Sequence, residues 1–398
     1  MNALAGWSRA ARGAGLLSPG GTPAASIFSE MSALAGATGA INLGQGFPDE
    51  DGPIEVLEAA REAIASGVNQ YPPGRGTADL RLAIAEHRNR FWGDSPDPET
   101  EILVTAGATE ALAATILGLT EPGDEVVTFE PFYDAYGGLI ALAGATHVTA
   151  TLHAPTFTPD PDELRRVITD RTRLIIVNTP HNPTGVMLST EILDLLVELA
   201  HRHDAIIVTD EVYEHLTFER THVPVVTRPG ATERTLTISS GGKTFATTGW
   251  KIGWISGPAD LITRVTTVKQ FLSYVNGAPF QPAIAVGLRL PDAYFTGVAK
   301  TLQGKRDRLA AGLSAAGFGV SLPDAGYFIV ADTSPLGFAD ATELARELPA
   351  RIGIAAIPVS AFVRPEHRED TRSLLRFAFC KRDAVLTDAL ARLESLAL

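Results

Sequence analysis

Lys243 lies in the stretch Ser239-Ser-Gly-Gly-Lys-Thr-Phe-Ala-Thr-Thr-Gly-Trp-Lys-Ile-Gly253, and a second lysine, Lys251, belongs to the same glycine-rich run. Glycines around the first lysine let the backbone turn sharply. Two amines in such a turn suit amine chemistry, an anion site, or both. Three readings are open. A nucleotide P-loop matches at Gly242-Lys243-Thr244, but it needs glycine where Thr237 stands. A solvated loop with ordinary surface lysines is the plain reading. In the third, Lys243 is a Schiff-base lysine for pyridoxal phosphate, with Ser240 and Lys251 at the phosphate. An amine near a second cation and partly removed from water has a lowered pKa, so it attacks aldehydes readily.

Other residues able to do chemistry recur at equivalent places. Strands are expected over 101–105, 124–130, 146–152, 172–178, 205–209 and 235–239, with helices between them, among them 79–92, 111–119, 161–167 and 190–201. Continuous apolar strands alternating with helices indicate an α/β fold with a mostly parallel sheet covered by helices on both faces. Ligands of such sheets sit at the carboxyl ends of the strands. Asn182, Asp210, Tyr213 and Lys243 all fall just past those ends. The turn Ala106-Gly107-Ala108-Thr109 joins a strand to a helix and is either a phosphate cradle or an ordinary capped connection. Phe132, Tyr133 and Tyr136 open the helix after the strand 124–130. Gly46 lies in the glycine- and proline-rich loop 42–53, and Tyr71 in the rigid loop Asn69–Gly76. Arg376 interrupts an apolar strand, as a buried ion-pair partner or as a clamp for a carboxylate.

Composition bounds the rest. The 398 residues suggest two domains or one large one. A large domain is expected over 55–289 and a smaller α+β domain from 22–54 and 290–398, with 1–21 as a flexible extension. The net charge of −13 argues against nucleic-acid binding, and no apolar run is long enough to span a membrane. The single cysteine, Cys380, excludes an internal disulfide and fits a reducing cytoplasm; no metal motif is present.

From about Phe28 to its C-terminus the chain resembles the fold-type I pyridoxal-phosphate enzymes, specifically class I/II aminotransferases. The resemblance rests on Asn182-Pro-Thr-Gly185, Asp210-Glu-Val-Tyr213 and Gly242-Lys-Thr-Phe…Gly-Trp-Lys251-Ile-Gly253. The Gly-Trp-Lys variant and Asn42-Leu-Gly-Gln-Gly-Phe-Pro-Asp49 are most similar to the kynurenine/glutamine transaminase branch, and within it to actinobacterial N-succinyldiaminopimelate aminotransferases.

The resemblance implies pyridoxal 5'-phosphate as cofactor, an amino acid and a 2-oxo acid as substrates, and a homodimer with shared sites. Lys243 would bind the cofactor covalently and move the Cα proton. Asp210 would hold the ring nitrogen protonated, with its own pKa lowered by that ion pair. Asn182 and Tyr213 would bond the phenolate oxygen, and Phe132 would stack on the ring. Gly107, Ala108, Thr109, Ser240 and Lys251 would hold the phosphate. Arg376, Asn182 and the Gly46 backbone would bind the substrate carboxylate. Tyr71 and Tyr274 would reach in from the second subunit. The segment Ala24–Phe28 departs from the kynurenine pattern, having no aromatic residue ahead of the first helix, which argues against aromatic substrates. Succinyl-diaminopimelate with glutamate is the expected pair. Arg75 is then either the second cation for its distal carboxylate or a solvated arginine. A broad kynurenine, glutamine or methionine transaminase and a cysteine-conjugate C–S β-lyase are the enzyme alternatives. A ligand-sensing regulator would need a DNA-binding domain, for which the stretch ahead of the match leaves no room.

Overall fold

A computed structural model of the chain describes residues 5–18 and 20–396. Its centre is a seven-stranded sheet in the order Ile102–Thr105, Gly253–Ser256, Thr235–Ser240, Ile206–Asp210, Thr172–Asn178, Glu125–Glu130, Thr146–Thr151. Every strand runs the same way except Gly253–Ser256, which is antiparallel to both neighbours. The register sets Asn178 opposite Asp210 and Asp210 opposite Ile238, so polar strand ends line up at one edge. Both faces are covered. One core layer holds Leu103, Leu112, Ile176, Val208 and Ile238, and the opposite layer holds Val127, Ile175, Leu196 and Ile207, all buried. Strands buried on both faces explain the continuous apolar runs.

A second, four-stranded antiparallel sheet runs Ile357–Pro358, Leu374–Ala378, Phe328–Asp332, Gly319–Ser321. The long helix Asp292–Ala315 and the helices Ala341–Arg351 and Asp383–Glu394 share a core with it. Met31 and Ala35 of the helix Ile27–Thr38 and Leu43 of the following segment belong to the same core. Among the described residues, no helix is long and apolar enough to cross a membrane.

One expectation is corrected. Residues Gly6–Gly13, expected to be part of a loose extension, form a helix that packs on the helix Ala135–Ala143. The contact is backbone to backbone. A Cβ on Gly13 would lie 2.3 Å from the Gly137 carbonyl oxygen, and one on Gly137 would lie 2.4 Å from that of Gly13. The small residues that made the segment look featureless are what allow this approach. Met1–Leu4 of the same expected extension lie outside the described residues.

Candidate active site

The strand ends build one wall. Asp210 closes its strand, and Asn178 closes the neighbouring one. The Asn178 amide donates to the Asp210 carbonyl (2.8 Å) and the Pro180 carbonyl (3.1 Å), and its Oδ1 accepts from the Asn182 N–H (2.7 Å). This buried asparagine therefore shapes the loop that presents Asn182. Ser240 ends the next strand, at the N-terminal cap of the short helix Gly241–Thr244 that carries Lys243.

The facing wall is the first turn of the helix Gly107–Leu119. Gly107 has a left-handed φ of +75°, and a Cβ there would stand 3.0 Å from Lys251 Nζ. The left-handed turn favours glycine, and the missing side chain leaves the lysine room. Lys251 is itself left-handed, at φ 54°, just ahead of the reversed strand. The reversed strand starts at the edge where the parallel strands end, with Gly253 opposite Ser240 and Thr105, so Lys251 just ahead of it stands beside Gly107.

Between these walls lies a cavity of about 180 Å³. Gly107, Ala108, Thr109, Ser240 and Lys251 line one part of it. Asn182, Asp210, Tyr213 and Lys243 line another. Asn178, Tyr133 and Thr248 also line it and were not anticipated. An asparagine closing an apolar strand ahead of a proline-rich loop was the available signal for Asn178.

The cavity is electrostatically polarised. Lys243 Nζ donates to the Gly46 carbonyl at 2.9 Å and lies 5.5 Å and 5.3 Å from the ring centres of Tyr213 and Tyr327. Enclosure by protein lowers its pKa to about 8, and the nearby charges of Arg376 and Lys251 push the same way. Tyr327 donates to the Lys243 carbonyl (2.7 Å), which fixes the short helix from the second sheet. Asp210 Oδ2 accepts from the buried Tyr136 hydroxyl at 2.8 Å. Asp210 Oδ1 is buried with no hydrogen-bond partner among the described residues.

Burial raises Asp210 to about 6, even though the Tyr136 bond, the Val212 N–H and the Lys243 charge all lower it. The expected lowering is thus reversed within the chain's own groups, because desolvation outweighs them. Tyr213 is also raised by burial.

Arg376 is buried in the strand Leu374–Ala378. It donates to Asn182 Oδ1 (3.0 Å) and to the Gly44 carbonyl (2.8 Å). Its guanidinium carbon lies 3.8 Å from the Phe328 ring centre, 4.4 Å from Phe362 and 5.7 Å from Phe28. Phe28 also packs edge-on against Phe362 at 5.4 Å, so an aromatic surface does reach this corner, from inside the helix Ile27–Thr38. Burial lowers Arg376 to about 10. Gly46 belongs here too, since a Cβ on it would meet the Phe328 ring at 2.1 Å.

Four expected residues lie elsewhere. Phe132 is buried in the core, edge-on to His147 at 4.8 Å, and does not line the cavity; its neighbour Tyr133 does. Tyr71 is exposed, stands edge-on to Tyr274 at 5.9 Å, and neither lines the cavity. Arg75 donates to the carbonyls of Thr100 (2.6 Å) and Ile102 (3.2 Å) at the start of an edge strand. Its guanidinium is therefore occupied away from the cavity, which removes it as the second cation.

These residues fit pyridoxal phosphate. Asp210 Oδ1 is an unused buried acceptor suited to a protonated ring nitrogen. Lys243 supplies an amine in the same cavity, and the helix N-terminus with Ser240 and Lys251 suits a phosphate. Residues 38–393 match the family model "Aminotransferase class I and II". The chain is 53% identical over 383 residues to a probable N-succinyldiaminopimelate aminotransferase of Mycobacterium tuberculosis, covering 94% of this chain and 96% of the relative. A solved structure of that enzyme from the same organism superposes with a TM-score of 0.91 at 54% identity, covering 94% and 97% of the two chains. The methionine aminotransferase of Escherichia coli is 38% identical, covering 93% of this chain and 95% of the relative. The mouse kynurenine–oxoglutarate transaminase 3 is also 38% identical, covering 91% and 86%. The chain belongs to the class I and II aminotransferases.

Proposed function

We propose that this aminotransferase holds pyridoxal 5'-phosphate between Asp210 and Lys243 and moves an amino group between N-succinyl-LL-diaminopimelate and the glutamate/2-oxoglutarate pair. The observation that carries the cofactor reading is the unpaired, buried Asp210 Oδ1 in the same cavity as the Lys243 amine. The bound cofactor supplies an electron sink for the pair of electrons left when the substrate Cα proton departs. Lys243 takes and returns that proton, which a pKa near 8 suits. Asp210 would keep the ring nitrogen protonated, Asn182 and Tyr213 would hold the phenolate oxygen, and Tyr133 lines the same cavity. Gly107, Ala108, Thr109, Ser240 and Lys251 would hold the phosphate. Arg376, oriented by Asn182 and Gly44, binds the substrate α-carboxylate beside Gly46.

The protein works as a homodimer in a reducing cytoplasm. Tyr71, Phe271, Leu272 and Tyr274 are exposed aromatic and apolar residues, and a partner subunit would cover them while taking Tyr71 into its own phosphate site. The chain divides into a cofactor-binding unit over 55–289 and a smaller unit from 22–54 and 290–398. The core shared by Met31, Leu43 and the C-terminal sheet supports that grouping.

Similarity to the mycobacterial enzyme supports the succinylated substrate. A second reading, a broad transaminase for methionine or kynurenine, is favoured by the three phenylalanines around Arg376. Comparing kcat/KM for succinyl-diaminopimelate, methionine, glutamine and kynurenine decides between them. A value for the succinylated donor about tenfold or more below methionine or kynurenine, about 1.4 kcal/mol in barrier, gives the broad transaminase. Replacing Asp210 with Asn tests the cofactor reading, which falls if single-turnover amino transfer keeps its rate.

A further inference from the structure

The N-terminal helix Gly6–Gly13 lies outside the matched family region, which begins at residue 38. It meets the helix Ala135–Ala143 at Gly137, the residue after Tyr136. Tyr136 is buried and donates its hydroxyl to Asp210. One short helix therefore touches the N-terminal segment at Gly137 and the functional carboxylate through the residue before it.

That short helix has little rigidity of its own. It spans nine residues and contains Gly137 and Gly138. A glycine inside a helix costs about 1 kcal/mol relative to alanine, and helices this short depend on packing for their position. The helix Gly107–Leu119 supports it on one side, and Gly6–Gly13 on another. On the N-terminal side the closest approach, at Gly13 and Gly137, is made by backbone atoms. A Cβ on Gly13 would meet the Gly137 oxygen at 2.3 Å and the Ala141 Cβ at 2.4 Å, and one on Gly138 would meet the Ala14 Cβ at 3.4 Å. At the far end, Arg9 donates to the Leu142 carbonyl at 3.2 Å. Backbone atoms in contact cannot rotate aside, so any added atom displaces one helix from the other.

We propose that Tyr136 is a positioning residue for Asp210, and that the N-terminal helix is the brace that sets the depth of Tyr136 through the Gly13–Gly137 contact. The inference rests on the reading of Asp210 as the partner of the cofactor nitrogen. The Tyr136 hydroxyl occupies Oδ2 and leaves Oδ1 for the ring, so the carboxylate is fixed in both orientation and charge. Around Asp210 the other titratable groups are Tyr133, ahead of the same helix, Lys243 on the short helix, and Glu211 and Tyr213 on its own segment. None of them approaches from the braced helix itself except Tyr136. Losing its donated bond makes the carboxylate easier to protonate and the hold on the ring nitrogen weaker.

The test follows release of pyridoxal 5'-phosphate from the loaded full-length protein on dilution, between pH 5 and 8, by absorbance and fluorescence. Tyr136→Phe is expected to speed release about tenfold at neutral pH and to raise the pH below which release accelerates. Gly13→Ala, and a chain lacking residues 1–14, are expected to do the same in the same direction. Added to Tyr136→Phe, Gly13→Ala should change nothing further, since both act through one bond. Unchanged release and pH dependence in Tyr136→Phe would overturn the proposal. Effects of Gly13→Ala that are absent, or that add in full to those of Tyr136→Phe, would overturn the brace. Where the shortened chain does not fold, the Gly13→Ala and Tyr136→Phe pair decides alone. Asp210→Asn separates the two levels: if it leaves release unchanged, the cofactor reading itself is wrong, whatever the brace does.

Discussion

Arg376 of the C-terminal sheet donates a 3.0 Å hydrogen bond to Asn182 Oδ1 in the loop that follows the strand Thr172–Asn178. Two residues far apart in sequence, each proposed to touch a ligand, thereby orient one another. Arg376 is stacked against Phe328 and Phe362 as well as bonded, so its planar fork has one orientation. Arg376→Lys keeps a charge but loses the fork and the stacking. The expected result is a KM for the amino donor raised about tenfold to a hundredfold, equivalent to roughly 1.5–3 kcal/mol, with a smaller change in kcat. Steady-state kinetics with the best donor check it; an unchanged KM would place the carboxylate clamp elsewhere.

The amine of Lys243 has a pKa lowered to about 8, chiefly by its enclosure. Only the neutral amine attacks an aldehyde. The rate at which cofactor-free protein captures pyridoxal phosphate should therefore rise about tenfold per pH unit below that value and level off above it. Stopped-flow absorbance between pH 6 and 9 measures this, and a flat profile below pH 8 would contradict the assigned pKa. Lys243→Ala should abolish turnover while the phosphate contacts still retain some cofactor.

Acid should destabilise the fold well above the range where carboxylates titrate. Burial lowers His87 to about 4 and His147 and His181 to about 3, and takes His215 well below its ordinary value. Unfolding lets all of them bind protons near pH 6.5, so their contribution is complete above that pH and is lost as pH falls through it. Asp210 and Glu214, raised by burial to about 6 and about 7, act in the opposite sense and offset part of the loss. Near pH 5 the balance is about two protons in favour of the unfolded chain, or about 3 kcal/mol of stability per pH unit. Melting curves at pH 5, 6 and 7 should show Tm dropping steeply; a constant Tm would mean these histidines titrate in the folded protein.

Tyr71 is 82% exposed and stands beside Tyr274 on an apolar surface. If it completes the phosphate site of a neighbouring subunit, Lys243→Ala and Tyr71→Phe subunits should complement each other. Each parent dimer is impaired, and a hybrid regains one intact site. Activity that stays at the parental level after proven subunit exchange would count against shared sites.

Much of this was legible in the sequence for a physical reason. The helix 161–167 and the strand 172–178 emerge with the bounds read from it, because proline, threonine and a long apolar run mark their ends. Asp210, Asn182 and Lys243 converge because parallel strands deliver their last residues to one edge. What stayed hidden depends on orientation or on distant partners. Phe132 and Tyr133 are adjacent aromatics in an irregular connection, where no periodicity says which faces inward. The bond from Tyr136 to Asp210 spans 74 residues and leaves no local trace. Arg75 looked like a free cation because its acceptors are backbone carbonyls, which sequence does not display. The helices Ala259–Lys269 and Phe280–Leu288 and the reversed strand Gly253–Ser256 also went unread, since they follow a glycine-rich run that ends any clear pattern.

The reversed strand has a mechanical consequence. Lys243 and Lys251 lie in the connection between Thr235–Ser240 and the reversed strand Gly253–Ser256, which is held by antiparallel ladders to Thr235–Ser240 on one side and Ile102–Thr105 on the other. Their spacing is set by a rigid local part. Arg376 arrives from a different sheet and touches this part of the molecule through a few contacts. The grip on the cofactor and the grip on the substrate are thus built on separate chassis. Evolution or an engineer can retune the second by reshaping the C-terminal sheet around Arg376, provided the two links back to the first, Tyr327 to the Lys243 carbonyl and Arg376 to Asn182, stay in place.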